Sequence, residues 1–193
     1  MSNSDTIGWA NRNLYGVDKD RINVKLTKAI MLTIGDGSTN TYLGDSIRKH
    51  LWNSSYQELQ TALTPESFTC IVTNPPFGKG LKVSKSDSKA AGLTISRKPK
   101  KLNDGSIVFS KTVHEEREIG IIFLERCYEL LAHGGRLGII LPETYMFSPS
   151  YKWLRIWLQN RLELKGMLNI PMEAFQGFCR AKTNFYIFQK VGN

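Results

Sequence analysis

The stretch Thr69-Cys70-Ile71-Val72-Thr73-Asn74-Pro75-Pro76-Phe77-Gly78 decides how the rest of the chain is interpreted. Residues 68–72 form an apolar, β-branched and aromatic run of strand length, and two prolines end it. Neither proline can donate to a β-ladder, and Pro75 disfavours helical dihedrals at Asn74. The pattern therefore predicts a strand whose carboxyl end holds Asn74 in a stiff, extended turn. Because ligands bind at that end of strands in open α/β sheets, the turn favours a site for a flat molecule that carries an amino group.

The sequence Asn74-Pro75-Pro76-Phe77 resembles the catalytic motif of the methyltransferases that modify the N6 amine of adenine in DNA. Its surroundings are most similar to the modification (M) subunit of type I restriction systems, over residues 14–190. The resemblance implies an α/β fold with the Rossmann-like sheet of S-adenosylmethionine-dependent methyltransferases and an antiparallel last strand. It implies that the protein transfers a methyl group from S-adenosylmethionine to adenine N6 in DNA. A proline-punctuated strand end without chemistry is the alternative.

The resemblance assigns catalytic roles to the four motif residues. The target adenine leaves the base stack, and Phe77 stacks on the flipped ring. The Asn74 side-chain carbonyl and the Pro75 backbone carbonyl accept the two N6 hydrogens, within the rigid turn that Pro76 extends. Because the N6 lone pair is conjugated into the ring, two acceptors placed for a tetrahedral nitrogen stabilise the transition state more than the ground state.

Two acidic residues and a second phenylalanine complete the implied site. Asp18 follows a short strand at residues 14–17 and corresponds to the acidic residue that holds the cofactor ribose, although helix capping is an equally good explanation. Asp45 follows a strand that begins at residue 41 and corresponds to the residue beside the cofactor adenine. Phe175 matches the aromatic residue that packs against the target base, with Phe178 as the alternate. Core packing is the competing explanation for either phenylalanine.

The remaining pattern is that of a mixed α/β domain. Asp20 is a candidate cap for a helix over residues 22–32, whose buried side is predicted to carry Ile22, Leu26, Ala29 and Ile30. Cys70 and Cys127 lie in apolar patterns and are predicted to be core thiols. Further elements are a helix that opens at residues 114–118, a buried strand at 137–141, an amphipathic helix at 153–158, and strands at 164–170 and 183–188.

Residues 79–113 are rich in lysine, glycine and serine and lack a persistent apolar period. The composition predicts a basic flexible loop inside the domain, and such long loops are functional or disordered. One interpretation is that the loop contacts DNA phosphates near the target base. The other is that charge merely keeps a connector solvated. The candidate DNA-binding residues are Lys82, Lys85, Lys98 and Lys100.

Length and composition fit one soluble domain over residues 1–193. The formal net charge of +9 suits a polyanionic partner. The three cysteines are widely separated, which fits a reducing cytoplasm and gives no zinc spacing. Because neither a signal peptide nor a membrane-spanning run is found, we expect no membrane partner. We also expect no metal, because the methyl transfer that the resemblance implies requires none. The resemblance implies DNA and other subunits of a restriction-modification complex, including a specificity subunit, as partners.

One feature of the family has no counterpart here. Its Gly-rich cofactor loop ends the first strand, upstream of the strand that carries Asp18, and nothing before Leu14 resembles it. We therefore expect a partial domain that lacks the first strand and, alone, binds S-adenosylmethionine weakly. Two other functions stay open: a non-catalytic DNA-binding or assembly subunit, and an amino-methyltransferase that acts on RNA or on a protein glutamine.

Overall fold

The computed structural model describes residues 3–34, 40–78, 80–175 and 181–191, with side chains from residue 5 onward. The chain divides into two compact units, residues 1–64 and 65–193. That both units work as one catalytic domain stays a prediction. Among the described residues, no helix combines the length and the apolar character that crossing a bilayer requires.

The first unit pairs a small parallel sheet with helices. Strand β1 is followed at its carboxyl end by the helix that the sequence predicts, and β1 pairs with β2 in parallel, Gly16 opposite Thr41. A 3-10 turn covers Lys49–Leu51. The elements are α1 (Asn3–Asn13), β1 (Gly16–Asp18), α2 (Arg21–Ile34), β2 (Thr41–Leu43) and α3 (Gln57–Ala62).

Helix α2 forms as predicted, but its predicted buried side is wrong. The Asp20 carboxylate caps the helix by accepting the Ile22 backbone N–H at 2.7 Å. Yet Ile22, Leu26 and Ile30 are 65%, 55% and 59% exposed, and Ala29 is exposed too. In this helix Val24 is the residue that is buried. The physical reason is size, because two strands of three residues each offer too little surface to cover a helix of 14 residues.

The second unit contains the main sheet. Its elements are β3 (Phe68–Thr73), β4 (Lys82–Ser84), α4 (Lys85–Ala90), β5 (Arg97–Lys101), β6 (Ile107–Val113), β7 (Glu116–Glu118), α5 (Ile119–Leu130), β8 (Leu131–Pro142), α6 (Thr144–Phe147), α7 (Lys152–Gln159), β9 (Leu162–Ile170) and β10 (Thr183–Lys190). Two 3-10 turns cover Pro149–Tyr151 and Met172–Phe175.

Four strands pair in the order β3-β8-β10-β9. Strand β3 is parallel to β8, and β10 runs antiparallel to both β8 and β9, so the predicted antiparallel last strand is confirmed. One face of the sheet is the core, where Leu137, Ile139 and Tyr186 are fully buried. Helix α5 contributes buried Ile121, and α7 contributes Trp157 from its apolar stripe. Each such side chain stabilises the fold by about 1.5–3 kcal/mol.

The two predicted core cysteines differ. Cys127 is buried on α5, and burial raises the pKa of its thiol to about 12. Cys70 is exposed, so that prediction is wrong. The reason is position: β3 is an edge strand, and Cys70 pairs with Arg136, which is also exposed. Within the described residues, no strand pairs with the outer edge of β3.

Residues 80–113, predicted as a structureless loop, contain regular structure instead. Strand β4 pairs with β7, and β5 pairs with β6, both antiparallel. The buried Glu125 carboxylate on α5 accepts hydrogen bonds from the backbone N–H groups of Thr94 and Ile95, both at 2.9 Å, and from the Thr94 hydroxyl. Burial raises the pKa of Glu125, and these hydrogen bonds oppose that shift. Strands this short show no clear hydrophobic periodicity in the sequence, so the lysine-rich composition wrongly indicates an unstructured loop.

The pairing of β4 with β7 also moves the start of the following helix. The acidic run before α5 predicts a helix from His114, but Glu116–Glu118 is a strand and α5 begins at Ile119.

Candidate active site

Several strand ends lie at the same end of the main sheet. β3 ends at Thr73, and β9 ends at Ile170. Thr183, the first residue of β10, pairs with both Pro142 and Ile170, the last residues of β8 and β9. The turn that follows β3 and the connection from β9 to β10 therefore lie at the same end of the sheet.

The turn after β3 presents Asn74 to solvent. Asn74 is exposed, whereas Pro75 behind it is buried and anchors the turn. Among the described residues, no hydrogen bond engages the Asn74 side chain. Gly78 closes the turn at φ +143°, a conformation that other residues rarely adopt. The backbone thus fixes the position of the Asn74 amide, whose hydrogen-bonding groups are not used by any described residue.

Two predicted aromatic residues lie in contact. The Phe77 and Phe175 ring centroids are 5.2 Å apart with an interplanar angle of 84°, an edge-to-face arrangement. Phe175 is the last residue of the 3-10 turn that follows β9, and both rings are half-buried. Pairs of this kind stabilise by about 0.5–1.5 kcal/mol beyond area burial. Pro76, immediately before Phe77 in the sequence, is exposed. The alternate Phe178 lies outside the described residues.

In the first unit, the Asp18 carboxylate can still accept further hydrogen bonds. One carboxylate oxygen accepts the Asp20 backbone N–H at 2.7 Å, and the other accepts the Asn23 amide at 3.3 Å. Because each carboxylate oxygen offers two lone pairs, each has room for another donor. Asp18 is half-buried at the carboxyl end of β1, so a ligand can reach it.

Asp45 is differently placed. It is 6% exposed, and one carboxylate oxygen accepts the backbone N–H groups of Ile47 and Arg48, both at 3.0 Å. The other oxygen meets the Arg48 guanidinium at 2.7 Å and the Lys19 ammonium at 3.3 Å. Burial works to raise the pKa of Asp45, but the Arg48 side chain and the backbone donors outweigh it and lower the pKa. All four lone-pair positions are therefore used within the protein.

The four candidate DNA-binding lysines fall into two pairs. Lys82 contacts Glu116 at 2.8 Å and Lys85 contacts Glu115 at 2.6 Å. Lys98 and Lys100 are exposed on β5, and no ion pair joins them within the described part of the chain.

A cavity of about 460 Å³ lies elsewhere in this unit, where Thr94, Tyr128 and Trp157 are among its lining residues. None of the motif residues lines it. The Glu125 carboxylate that lines it already accepts hydrogen bonds from Thr94 and Ile95, so this carboxylate has little capacity left to bind a ligand.

Sequence reasoning missed the partners that fix these residues. Arg48 holds Asp45, and the Trp52 indole N–H donates to the Asp45 backbone carbonyl at 2.8 Å. The available signal was a basic residue three positions after an acidic one. A partly buried chain of polar side chains also lies near the start of β10: the Asn169 amide, which is exposed, donates to Asn184 at 3.1 Å, and the buried Asn184 donates to Tyr186 at 3.0 Å.

Among the described residues, no group of three or more His, Cys, Asp or Glu side chains is placed to hold a metal ion. The absence of a metal from the function stays a prediction.

Comparisons with known proteins agree with the resemblance noted in the sequence. The chain is 25% identical over 181 residues to the EcoEI methylase subunit of a type I restriction enzyme from Escherichia coli, covering 93% of this chain and 31% of that protein. The M protein of the type I restriction enzyme EcoKI matches with a TM-score of 0.62 at 19% identity, over 98% of this chain and 33% of that one.

A nuclease-deletion mutant of the Type ISP restriction-modification enzyme LlaGI, solved in complex with a DNA substrate mimic, matches with a TM-score of 0.66 at 16% identity, over 100% of this chain and 21% of that one. These structural matches show that the fold is shared, and the chain spans about a third of the length of its curated relative. The model of the Eco57I restriction-modification methylase family matches residues 12–178. The chain therefore belongs to the Eco57I restriction-modification methylase family.

Proposed function

We propose that this chain forms part of a DNA adenine N6-methyltransferase of the type I modification-subunit kind. One observation carries the proposal: an exposed Asn74 amide, without a hydrogen-bond partner among the described residues, follows a strand end. It stands three residues before a ring that contacts Phe175. An adenine amine needs acceptors and its ring needs aromatic faces, and this edge of the sheet offers both. Family membership supports the same chemistry.

In the proposed reaction the protein acts on the target amine. The Asn74 Oδ1 and the Pro75 carbonyl accept the two N6 hydrogens, which favours the tetrahedral nitrogen that forms as N6 attacks. Phe77 stacks on the flipped base, and Phe175 packs against it once its edge-on contact with Phe77 opens. S-adenosylmethionine, when bound, supplies an electrophilic methyl group. Asn74 and Pro75 would hold the N6 lone pair toward that methyl group, and the proton that N6 loses would pass to solvent.

The fit of the chain to that cofactor is uneven. Asp18 is a suitable partner for the two ribose hydroxyls, since both of its oxygens can still accept a hydrogen bond. Asp45 does not fit the role beside the adenine ring in its present arrangement, because its carboxylate is buried and fully used. We propose Asp18 as the cofactor contact and keep Asp45 as a residue that shapes the turn after β2.

DNA and the other subunits of a restriction-modification complex are the proposed partners. The net charge of +9 suits DNA. The related EcoEI protein is named as a subunit, and the LlaGI structure contains a DNA substrate mimic. A specificity subunit and a cytoplasmic location stay proposals.

One specific observation favours a second candidate, a DNA-binding or assembly subunit without catalysis. The Asp45 carboxylate is already paired with Lys19 and Arg48, so one of the two predicted cofactor contacts is lost. Calorimetric titration of S-adenosylmethionine into a protein that carries this segment together with a Gly-rich cofactor loop separates this candidate from an enzyme, because an assembly subunit shows no heat of cofactor binding.

The proposal is tested by the fate of a labelled methyl group. An active enzyme that carries this segment is incubated with methyl-labelled S-adenosylmethionine and, separately, duplex DNA, RNA and a glutamine-containing protein substrate. We expect label in DNA alone, recovered as N6-methyladenine after digestion to nucleosides. Label in RNA or on glutamine, with none in DNA, contradicts the proposal.

A further inference from the structure

The β5–β6 hairpin, residues 97–113, carries a large excess of positive charge; it is called the basic arm below. It contains five cationic residues and one acidic residue, Asp104. The Asp104 carboxylate serves the turn, accepting the Ser106 backbone N–H at 2.9 Å and its hydroxyl at 2.7 Å. All five cations are exposed, and no ion pair joins any of them among the described residues. They are Arg97, Lys98, Lys100, Lys101 and Lys111.

The basic arm has an inner and an outer face. Directly opposed residues share a face of an antiparallel pair, and Pro99 opposes Phe109 while Lys100 opposes Val108. The Phe109 ring packs edge-on against Trp153 of α7 at 6.1 Å, so the Pro99–Phe109 face is the inner one. Lys100 therefore stands on the outer face, away from the body of the second unit.

The base of the basic arm is fixed. The chain just before β5 is held by the Glu125 carboxylate through Thr94 and Ile95. The two strands are also joined at this base, where the backbone N–H of His114, just after β6, donates to the carbonyl of Ser96, just before β5, at 2.9 Å. A ribbon anchored at both strand ends presents its cations without a large ordering cost when a partner binds.

Lys82 and Lys85 provide a built-in contrast. Both are close in sequence to the basic arm; Lys82 is exposed on β4 and Lys85 is half-buried at the start of α4. Glu116 and Glu115 pair with them, so a phosphate has to compete with these carboxylates for the two lysines. The cations of the basic arm have no such competitor among the described residues.

We infer that the basic arm binds the phosphate backbone of nucleic acid and that Lys82 and Lys85 take no part in this contact. A two-stranded ribbon fits the major groove of duplex DNA, and a regular polyanion matches several cations displayed along one ribbon. The inference deepens the proposed function by naming the surface that holds the substrate, and it rests on that function for the choice of duplex DNA. Sequence readout is not required, because phosphate contacts position the duplex without specifying bases.

The test uses the 193-residue chain, a fluorescent duplex of about 30 base pairs and anisotropy titrations from 50 to 200 mM salt, the range over which phosphate contacts dominate affinity. The arm variant is Lys98→Gln with Lys100→Gln. Two controls each remove the same formal charge: Lys82→Gln with Lys85→Gln, and Lys25→Gln with Lys28→Gln, a pair exposed on α2. Circular dichroism melts establish that the three variants fold alike.

Removal of two phosphate contacts is expected to reduce the slope of log affinity against log salt by about 1.8. The parent chain should then lose roughly twelvefold more affinity than the arm variant between the two salt concentrations. Both control variants should keep the parent slope. A parent-like slope in the arm variant, or an equal loss of slope in the Lys82/Lys85 control, overturns the inference.

Two further outcomes are decisive. Loss of binding to phosphatidylserine vesicles by the arm variant, with duplex binding kept, assigns the arm to a membrane surface and overturns the inference. Absence of duplex binding by the parent chain at 50 mM salt also overturns it. Neither outcome touches the proposed methyl transfer, which the labelled-methyl assay decides separately.

Discussion

The carboxyl ends of strands in the two units carry residues that look equivalent in sequence, yet they are chemically different. At the end of β3, Asn74 is exposed and makes no internal hydrogen bond among the described residues. Beyond the end of β2, Asp45 is buried and its oxygens are used by Lys19, Arg48 and two backbone donors. Asp18, at the end of β1, lies between these extremes.

A polar residue at a strand end can bind a ligand only if part of its hydrogen-bonding capacity is not already used within the protein. A carboxylate whose lone pairs are filled stabilises its own turn, whereas an exposed amide without an internal partner bonds to water, which a ligand can replace. We therefore assign chemistry to Asn74, cofactor binding to Asp18 and local structure to Asp45.

The largest expected effect is at Asn74. In an active enzyme that carries this segment, Asn74→Ala removes an acceptor that is used most strongly in the transition state, so single-turnover methyl transfer should fall by about 100- to 1,000-fold. DNA affinity, measured by anisotropy, should stay within about threefold of the parent because the amide is not a phosphate contact. Near-normal turnover would refute the assigned role.

Phe175 should have the next largest effect. Loss of base stacking costs about 1–3 kcal/mol, so Phe175→Ala should lower kcat/KM by about 5- to 150-fold. Phe147→Ala is the matched control, since Phe147 is 57% exposed on α6 and outside the aromatic pair. Fluorescence of 2-aminopurine at the target position reports base flipping directly. Equal effects of the two substitutions would show that Phe175 only packs.

The two acidic residues should separate in a cofactor titration. Asp18→Ala removes charge-assisted hydrogen bonds worth about 1.5–3 kcal/mol, so the Kd for S-adenosylmethionine should rise by about 10- to 150-fold. Asp45→Asn should leave that Kd within about threefold while lowering the melting temperature, because Asn keeps the shape but loses the charge that Arg48 needs. The reverse pattern in calorimetry would exchange the two assignments.

The smallest expected effect is on acid stability. The pKa of Asp45 is lowered in the folded protein, so its stabilising contribution is present above the ordinary Asp pKa of about 3.9 and is lost as pH falls through the lower, folded-state pKa. The melting temperature of the parent should therefore approach that of Asp45→Asn as pH is lowered below about 4. A difference that stays constant from pH 6 to acid would show that the carboxylate charge is not what holds the turn.

Much of this architecture could be predicted from the sequence. The strand before Asn74, the amphipathic helix at Trp153 and the final strand each have a strong period or a proline stop, and each forms at its predicted place. The resemblance names Phe77 and Phe175 as the aromatic residues on either side of the target base, and topology brings both rings to the same end of the sheet. Their direct edge-to-face contact is a finding of the structure.

Other features depend on tertiary partners that no local pattern reveals. The basic arm has strands of five and seven residues, the first of them almost entirely cationic, and the chain before it is held by a carboxylate from α5. The exposure of Ile22 and Leu26 reflects the small surface that β1 and β2 offer, although the helix itself is amphipathic. Likewise, the full use of Asp45 depends on where Arg48 points, which spacing alone does not fix.

The division of labour between the two units is tested most directly by titrating S-adenosylmethionine into the Asn74→Ala form of an active enzyme that carries this segment. The account predicts a Kd within about twofold of the parent, together with the collapse in single-turnover rate, because Asn74 acts on the target amine and not on the cofactor. A Kd weakened by about tenfold or more, equivalent to at least 1.4 kcal/mol of lost cofactor binding, would contradict it.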